Sequence, residues 1–272
     1  MRTSFRLSEA LAAVAAGRWA HQATGDQAIS RAERCVRFLG DKAARRVTRA
    51  DLGRMLAAMH ATGLSPASCN RHLSALSAVL EEAGVTIPLP WQREPKGRTR
   101  WLTHDEVRLL ALACARRRHG PAVASLVQFL AETGVRVGEA LALRWEDVDV
   151  LARRLTVRRS KNGDTRAVPL TAVALENLPK GRPNGPWAGL SQSTVNHVFR
   201  AAREDVESTR GDREVVVHTL RHTAASRLVR AGVSLPVVSA WLGHRDHRST
   251  LRYVHVDDAG LHAAARMLED AR

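Results

Sequence analysis

Aromatic side chains are scarce in this chain: phenylalanine, tryptophan and tyrosine together supply 4% of its 272 residues, and tyrosine occurs once, as Tyr253. Cysteine is rarer still. Cys35, Cys69 and Cys114 are far apart, odd in number and without CxxC spacing, which excludes a disulfide scaffold and a zinc cluster and fits a reducing compartment. No stretch approaches the roughly 20 apolar residues of a membrane-spanning helix. No Asp/Glu set of the kind a metal-dependent nuclease needs is evident. Acidic residues are also in deficit, 27 against 42 lysines and arginines, for a net charge of +15. Such an excess points to a polyanionic partner, with an anionic membrane surface as the rival and plain arginine bias as the ordinary explanation.

The opening MRTSFRLSEALAAVAAG has a basic start and an alanine-rich run. Glu9 interrupts that run, and the segment reads as an amphipathic helix introduced by Ser8 rather than a leader. The chain is therefore expected to be cytoplasmic and unprocessed. Three more helices follow within residues 1–90. One covers DQAISRAERCVRFLG, and one opens at the capping-box pattern of Thr48. The last runs from Ser65 and Pro66 to Gly84, with Leu73, Leu76 and Leu80 on its buried face and Arg71 and His72 turned elsewhere. Four helices without acid–histidine ligand pairs suit a binding module. Residues 85–100, with three prolines, break the helical pattern, and a linker is placed at 91–100.

A second domain, 101–272, begins at the capping box THDE. ASLVQFLAETG and VGEALALRW read as helices, and RRLTVRRS-KNGD-TRAVPL as a hairpin turning at Asn162-Gly163. Helices resume at LSQSTVNHVFRAARE, HTLRHTAASRLVRAG, SLPVVSAWLG and STLRYVHV. The expected class is mainly α, an N-terminal four-helix domain followed by an α+β domain with a small antiparallel sheet.

Tyr253 lies in the basic context RSTLRYVHVDD. A lone tyrosine is ordinarily a packed aromatic; its company raises it. His218 and Arg221 share a helix face, His244 follows Gly243, Arg136 follows the Gly134 turn, and Lys161 sits at the hairpin tip. Guanidinium groups fork onto phosphate oxygens, and histidine or lysine exchanges protons with attacking and leaving oxygens. Taken singly, each has an ordinary structural explanation.

Together, TGVRVGEALALRWEDVD at 133–149, SKNGDTRAVPL at 160–170, HTLRH at 218–222 and LGHRDHRSTLRYVH at 242–255 strongly resemble the tyrosine recombinase, or phage integrase, family. The order and spacing match across the whole second domain, in the manner of a Xer-like, two-domain member. The resemblance implies an N-terminal core-DNA-binding (SAM-like) domain, a catalytic domain, and no extra arm-binding domain. It implies that Tyr253 attacks the scissile phosphate of double-stranded DNA and is joined to the 3′ end. Arg136 and Arg221 would hold the non-bridging oxygens, and Lys161 would protonate the leaving 5′-oxygen. His218 would assist proton transfer, His244 would bond the phosphate, and Glu139 would support the site from behind. No cofactor and no metal are implied. The partner would be an inverted-repeat core site, bound by a monomer that becomes a tetramer on paired sites, with the apolar stripe Leu261, Ala264, Ala265 and Leu268 docked on a neighbouring protomer; the plainer alternative is that the stripe closes the protein's own core.

Thr219 departs from the aspartate common at that position. Trp145 and Trp241 read as core packing, and His222, His247 and His255 as structural or phosphate-adjacent. The arginines at 116–118, 153–154 and 158–159 read as solvated faces or DNA-backbone contacts. The alternatives are a non-cutting DNA-binding relative and a type IB topoisomerase.

Overall fold

The computed structural model describes residues 5–22, 24–94, 100–158, 165–181, 184–244, 248–251 and 253. The chain divides into two compact units, Met1–Gly97 and Arg98–Arg272. Among the described residues, no helix is long and apolar enough to cross a membrane.

The first unit contains α1 (Leu7–Ala16), α2 (Gly25–Leu39), α3 (Arg49–Ala61) and α4 (Pro66–Glu82). α1 starts one residue before Ser8, with Arg6 at its N-cap and the Glu9 carboxylate accepting from the Arg6 backbone N–H. Thr48 and Asp51 form the capping box of α3, and Ser65 caps α4 with Pro66 in the first turn. Each such cap satisfies orphan backbone donors and is worth about 1 kcal/mol. Leu73, Leu76 and Leu80 face the core, with Leu52, Met55 and Met59 of α3 buried in the same cluster. A fully buried leucine contributes roughly 1.5–3 kcal/mol. His72, expected off this face, is buried as well, because its Nδ1 bonds the Ser68 carbonyl at 2.8 Å and needs no solvent. Val85, Ile87 and Leu89 pack on the same core, and Asn70 brackets Gln92 at 2.8 Å in both directions. The expected break in the helical pattern is there, yet residues 85–92 remain part of the first unit.

The second unit holds α5 (His104–Ala115), α6 (Gly120–Thr133), α7 (Val137–Leu141), β1 (Val148–Asp149), β2 (Arg154–Arg158), β3 (Thr165–Pro169) and α8 (Ala172–Glu176). It continues with α9 (Gln192–Asp205), α10 (Val217–Arg230), α11 (Leu235–Leu242) and α12 (Arg248–Leu251). The Thr103–Glu106 box opens α5. The strands form an antiparallel β1-β2-β3 sheet in which Val157 opposes Arg166 and Leu155 opposes Val168. The connection between β2 and β3, with the expected Asn162-Gly163 turn, lies outside the described residues. The core gathers Leu126, Phe129, Leu130, Phe199 and Leu220 around Trp187, whose ring centroid is 4.6 Å from that of Phe129 and whose indole N–H donates to Ser125 Oγ.

The helix expected over VGEALALRW stops at Leu141. Trp145–Asp147 form a separate 3₁₀ turn, and between the two the chain at Leu143 lies against Gly185, where a Cβ would meet the Leu143 carbonyl at 2.1 Å. All three cysteines are buried and unbridged, and burial pushes the Cys35 and Cys114 thiols up to about 12.

Candidate active site

α6 ends at Gly134, which adopts φ 65°. A Cβ there would stand 2.9 Å from Leu242 Cδ2 and 3.1 Å from Ala224 Cβ. Left-handed backbone costs a residue with a side chain about 1–2 kcal/mol. We therefore expect Gly134→Ala to lower stability by about that amount in chemical denaturation; a variant as stable as the parent would show that the turn does not need glycine.

The turn presents the Gly134 carbonyl to α10, where Arg221 Nη1 donates to it at 2.7 Å. Arg221 Nη2 donates at 2.7 Å to the carbonyl of Leu242, the last residue of α11. Helix C-termini leave carbonyls without intrahelical partners and carry partial negative charge. One guanidinium thus satisfies two helix ends and is fixed by them, 3% exposed. Burial above all, then the neighbouring Arg136 charge and also Arg166, push it down to about 10, against the opposing pull of Glu139 and Tyr253. It remains cationic at neutral pH.

Arg136 stands at the N-cap of α7, more exposed than Arg221. Its backbone N–H donates to Glu139 Oε2 and its Nη1 to Glu139 Oε1, both at 2.8 Å. Glu139 also receives Arg166 Nη1 at 3.0 Å and Nη2 at 2.6 Å, a two-pronged pair. Burial of Glu139 raises its pKa, but the hydrogen bonds and charges of Arg166 and Arg136 outweigh this and bring it to about 2. A carboxylate depressed in the folded state stabilises the fold fully above its ordinary 4.5, and that contribution is lost as pH falls towards 2. The stability difference between wild type and Glu139→Gln should therefore be constant above pH 4.5 and shrink below it. A difference flat across that acid range would contradict the assignment.

Tyr253 is 5% exposed and packs with Ala225, Val238 and Leu242. Its hydroxyl is 2.6 Å from His222 Nδ1. His222 meets His218 edge to face, with ring centroids 4.7 Å apart, and His218 itself is exposed on the first turn of α10. His244 follows the Gly243 cap of α11, and its Nδ1 is 2.8 Å from Thr250 Oγ1. Thr219 is buried and satisfied without an acid: its hydroxyl donates to the Glu214 carbonyl and accepts from the Val216 N–H.

The fold thus draws Arg136, Glu139, Arg221 and Tyr253 into one neighbourhood built from the α6–α7 turn, α10 and the end of α11. A polar cluster with two guanidinium groups, one anchored and one half exposed, is suited to holding an anion beside a phenol.

Residues 100–181 and 183–259 match the phage integrase family. The tyrosine recombinase XerD of Caulobacter vibrioides is 33% identical over 235 residues, covering 75% of each chain. A tyrosine recombinase of Thermosipho africanus is 30% identical over 213 residues, 72% of this chain and 75% of that one. The chain belongs to the phage integrase family of tyrosine recombinases.

The integrase of Escherichia phage 186 is 32% identical over 171 residues, and there the match spans 47% of the relative's length. The fold of this family member is also that of the Tn1549 transposon integrase solved with transposon right end DNA. The TM-score is 0.77 at 16% identity, over 97% of this chain and all of the other. A lambda integrase dimer bound to a COC′ core site gives 0.74 at 24% identity, over 93% and 100%.

Of the residues named from the recombinase resemblance, Lys161 lies outside the described residues, as do His247, His255 and the stripe from Leu261 to Leu268. Two positions were missed. His222, read as structural or phosphate-adjacent, is the ring at the Tyr253 hydroxyl; its place four residues after His218 on one helix was the available signal. Arg166 carried no signal beyond being a cation in a strand. Trp241 does pack on the core, and its indole N–H also donates to the Thr133 carbonyl at 2.8 Å. Arg117, expected on a solvated or DNA-facing edge, is turned inward to the Ala113 and Ala201 carbonyls and to Asp205, at 2.7 Å from the last.

Proposed function

We propose that this tyrosine-type site-specific recombinase cleaves and rejoins double-stranded DNA through Tyr253. The observation that carries the reading is the Tyr253 hydroxyl held at a histidine nitrogen, at 2.6 Å, close to the buried cation Arg221. The phenolic oxygen attacks the scissile phosphorus, and the phosphorus–O5′ bond breaks. The products are a 3′-phosphotyrosyl linkage and a free 5′-hydroxyl. The phenolic proton passes to the histidine pair, with His222 in contact and His218 beside it, and Lys161 returns a proton to the departing 5′-oxygen. Arg221 and Arg136 hold the non-bridging oxygens and stabilise the charge that develops at the pentavalent centre. His244 adds a further hydrogen bond to the phosphate, and Glu139 orients Arg136.

The covalent link conserves the energy of the broken phosphodiester, so attack by a new 5′-hydroxyl reverses the step on a different strand. Exchange between two duplexes, each cut at two positions, requires four such sites. This supports a monomer that assembles into a tetramer on paired inverted-repeat sites.

A nicked suicide duplex tests the reading. The short fragment released by cleavage diffuses away and traps the intermediate, which runs as a denaturation-resistant protein–DNA band. Binding without that band would indicate a non-cutting relative. Scattered cleavage with relaxation of supercoils by single molecules would indicate a topoisomerase instead.

A further inference from the structure

Arg166 has no role in the chemistry described above, yet it holds Glu139, which does, and the backbone beside the Arg221 anchor. From β3 its Nη1 and Nη2 grip the Glu139 carboxylate, and its Nε donates to the Trp241 carbonyl at 3.2 Å. The Trp241 peptide precedes Leu242, whose carbonyl holds Arg221 Nη2, and the Trp241 indole holds Thr133, next to the Gly134 carbonyl that takes Arg221 Nη1. Through Glu139 it reaches both the backbone and the guanidinium of Arg136. In the chain it follows Lys161 by five residues, as the second residue of β3. Its side chain is 10% exposed.

From this geometry we infer that Arg166 is a positioning residue for cleavage, holding Glu139, and through it Arg136, in register with the Arg221 anchor and with the strand that follows Lys161. A guanidinium suits the task because its planar fork serves both carboxylate oxygens while the third nitrogen reaches the carbonyl. An ammonium cannot make all three bonds. Among the described residues, the charges facing Glu139 are Arg136 from its own helix, Arg166 from β3 and Arg221 from α10. Without Arg166, burial of the Glu139 carboxylate is less opposed and its protonated form gains ground.

The inference rests on the recombinase reading, so the experiment scores both. Single-turnover cleavage of the nicked suicide duplex is measured from pH 5 to 9 for wild type, Arg166→Met, Arg166→Lys and Arg166→Met/Glu139→Gln. Duplex binding and circular dichroism are recorded for each protein. The expected result is a cleavage rate down by as much as about 100-fold in Arg166→Met, with binding to the same duplex within a few-fold of wild type. The loss is larger on the acid side of the profile, because Glu139 without Arg166 takes a proton more readily than in the wild type. The double variant is slow without that acid limb, and Arg166→Lys recovers part of the rate and of the wild-type pH profile.

If Arg166→Met does not fold, the neutral double variant and Arg166→Lys decide. Wild-type cleavage rates in every folded variant overturn the inference, as does a loss in which cleavage and binding fall together by the same factor at every pH. A wild type that forms no covalent complex overturns the recombinase reading and the inference with it.

Discussion

Tyr253→Phe should bind duplex DNA as the wild type does and form no covalent complex with it. The substitution removes one oxygen from a ring that is otherwise held by Ala225, Val238 and Leu242. The lost contact to His222 costs about 1 kcal/mol of stability, the usual net worth of a hydrogen bond, and melting should shift by only a few degrees. Chemistry is affected without remedy, because no other tyrosine exists in the chain to take the phosphoryl group. The trapped band on the nicked duplex should fall below detection, with gel-shift affinity unchanged. A band of undiminished strength would remove Tyr253 from the mechanism.

Arg221→Lys should slow cleavage by about 100- to 1,000-fold, the range for loss of one preorganised donor to a developing oxyanion. The magnitude follows from how the side chain is held. Arg221 uses one nitrogen for the Gly134 carbonyl and another for the Leu242 carbonyl, and the fixed plane between those bonds aims the rest of the group. A lysine ammonium placed there would bond one carbonyl, leave the other buried and unpaired, and offer a point charge without a plane. Binding to intact duplex should change far less than cleavage, since a chain of net charge +15 keeps many other arginines and lysines to contact phosphates. An equal loss in gel-shift affinity and in single-turnover rate would mean that Arg221 only helps to hold the duplex.

Sequence reasoning succeeded where the physics is local. The Thr48–Asp51 and Thr103–Glu106 boxes, the Ser65 cap and the Gly134 stop each follow from a few adjacent residues, and each is present. The pairing of RLTVR with TRAVP is legible for the same reason. The end of α7 was misjudged, and just past it Leu143 lies against Gly185, 42 positions away in the chain, a contact that no local pattern announces. Motif spacing names Arg136, Arg221 and Tyr253 but does not say what holds them. Arg221 needs the ends of two helices, Glu139 needs a strand cation, and Thr219 needs a carbonyl at Glu214 rather than an acid. Those partnerships arise only when α6, α10, α11 and β3 converge. The inward turn of Arg117 belongs to the same class: composition gives its charge and tertiary packing gives its direction.

The central claim is that Tyr253 carries the DNA through a 3′-phosphoryl bond. The direct measurement is to trap the complex on a nicked duplex in EDTA, digest protein and DNA, and sequence the modified peptide by tandem mass spectrometry. The expected result is a single adduct, a nucleotide joined by its 3′-phosphate to the Tyr253 oxygen, with a free 5′-hydroxyl on the released strand. An adduct on any other residue, a 5′-phosphoryl linkage, or cleavage that appears only when magnesium is restored would contradict it.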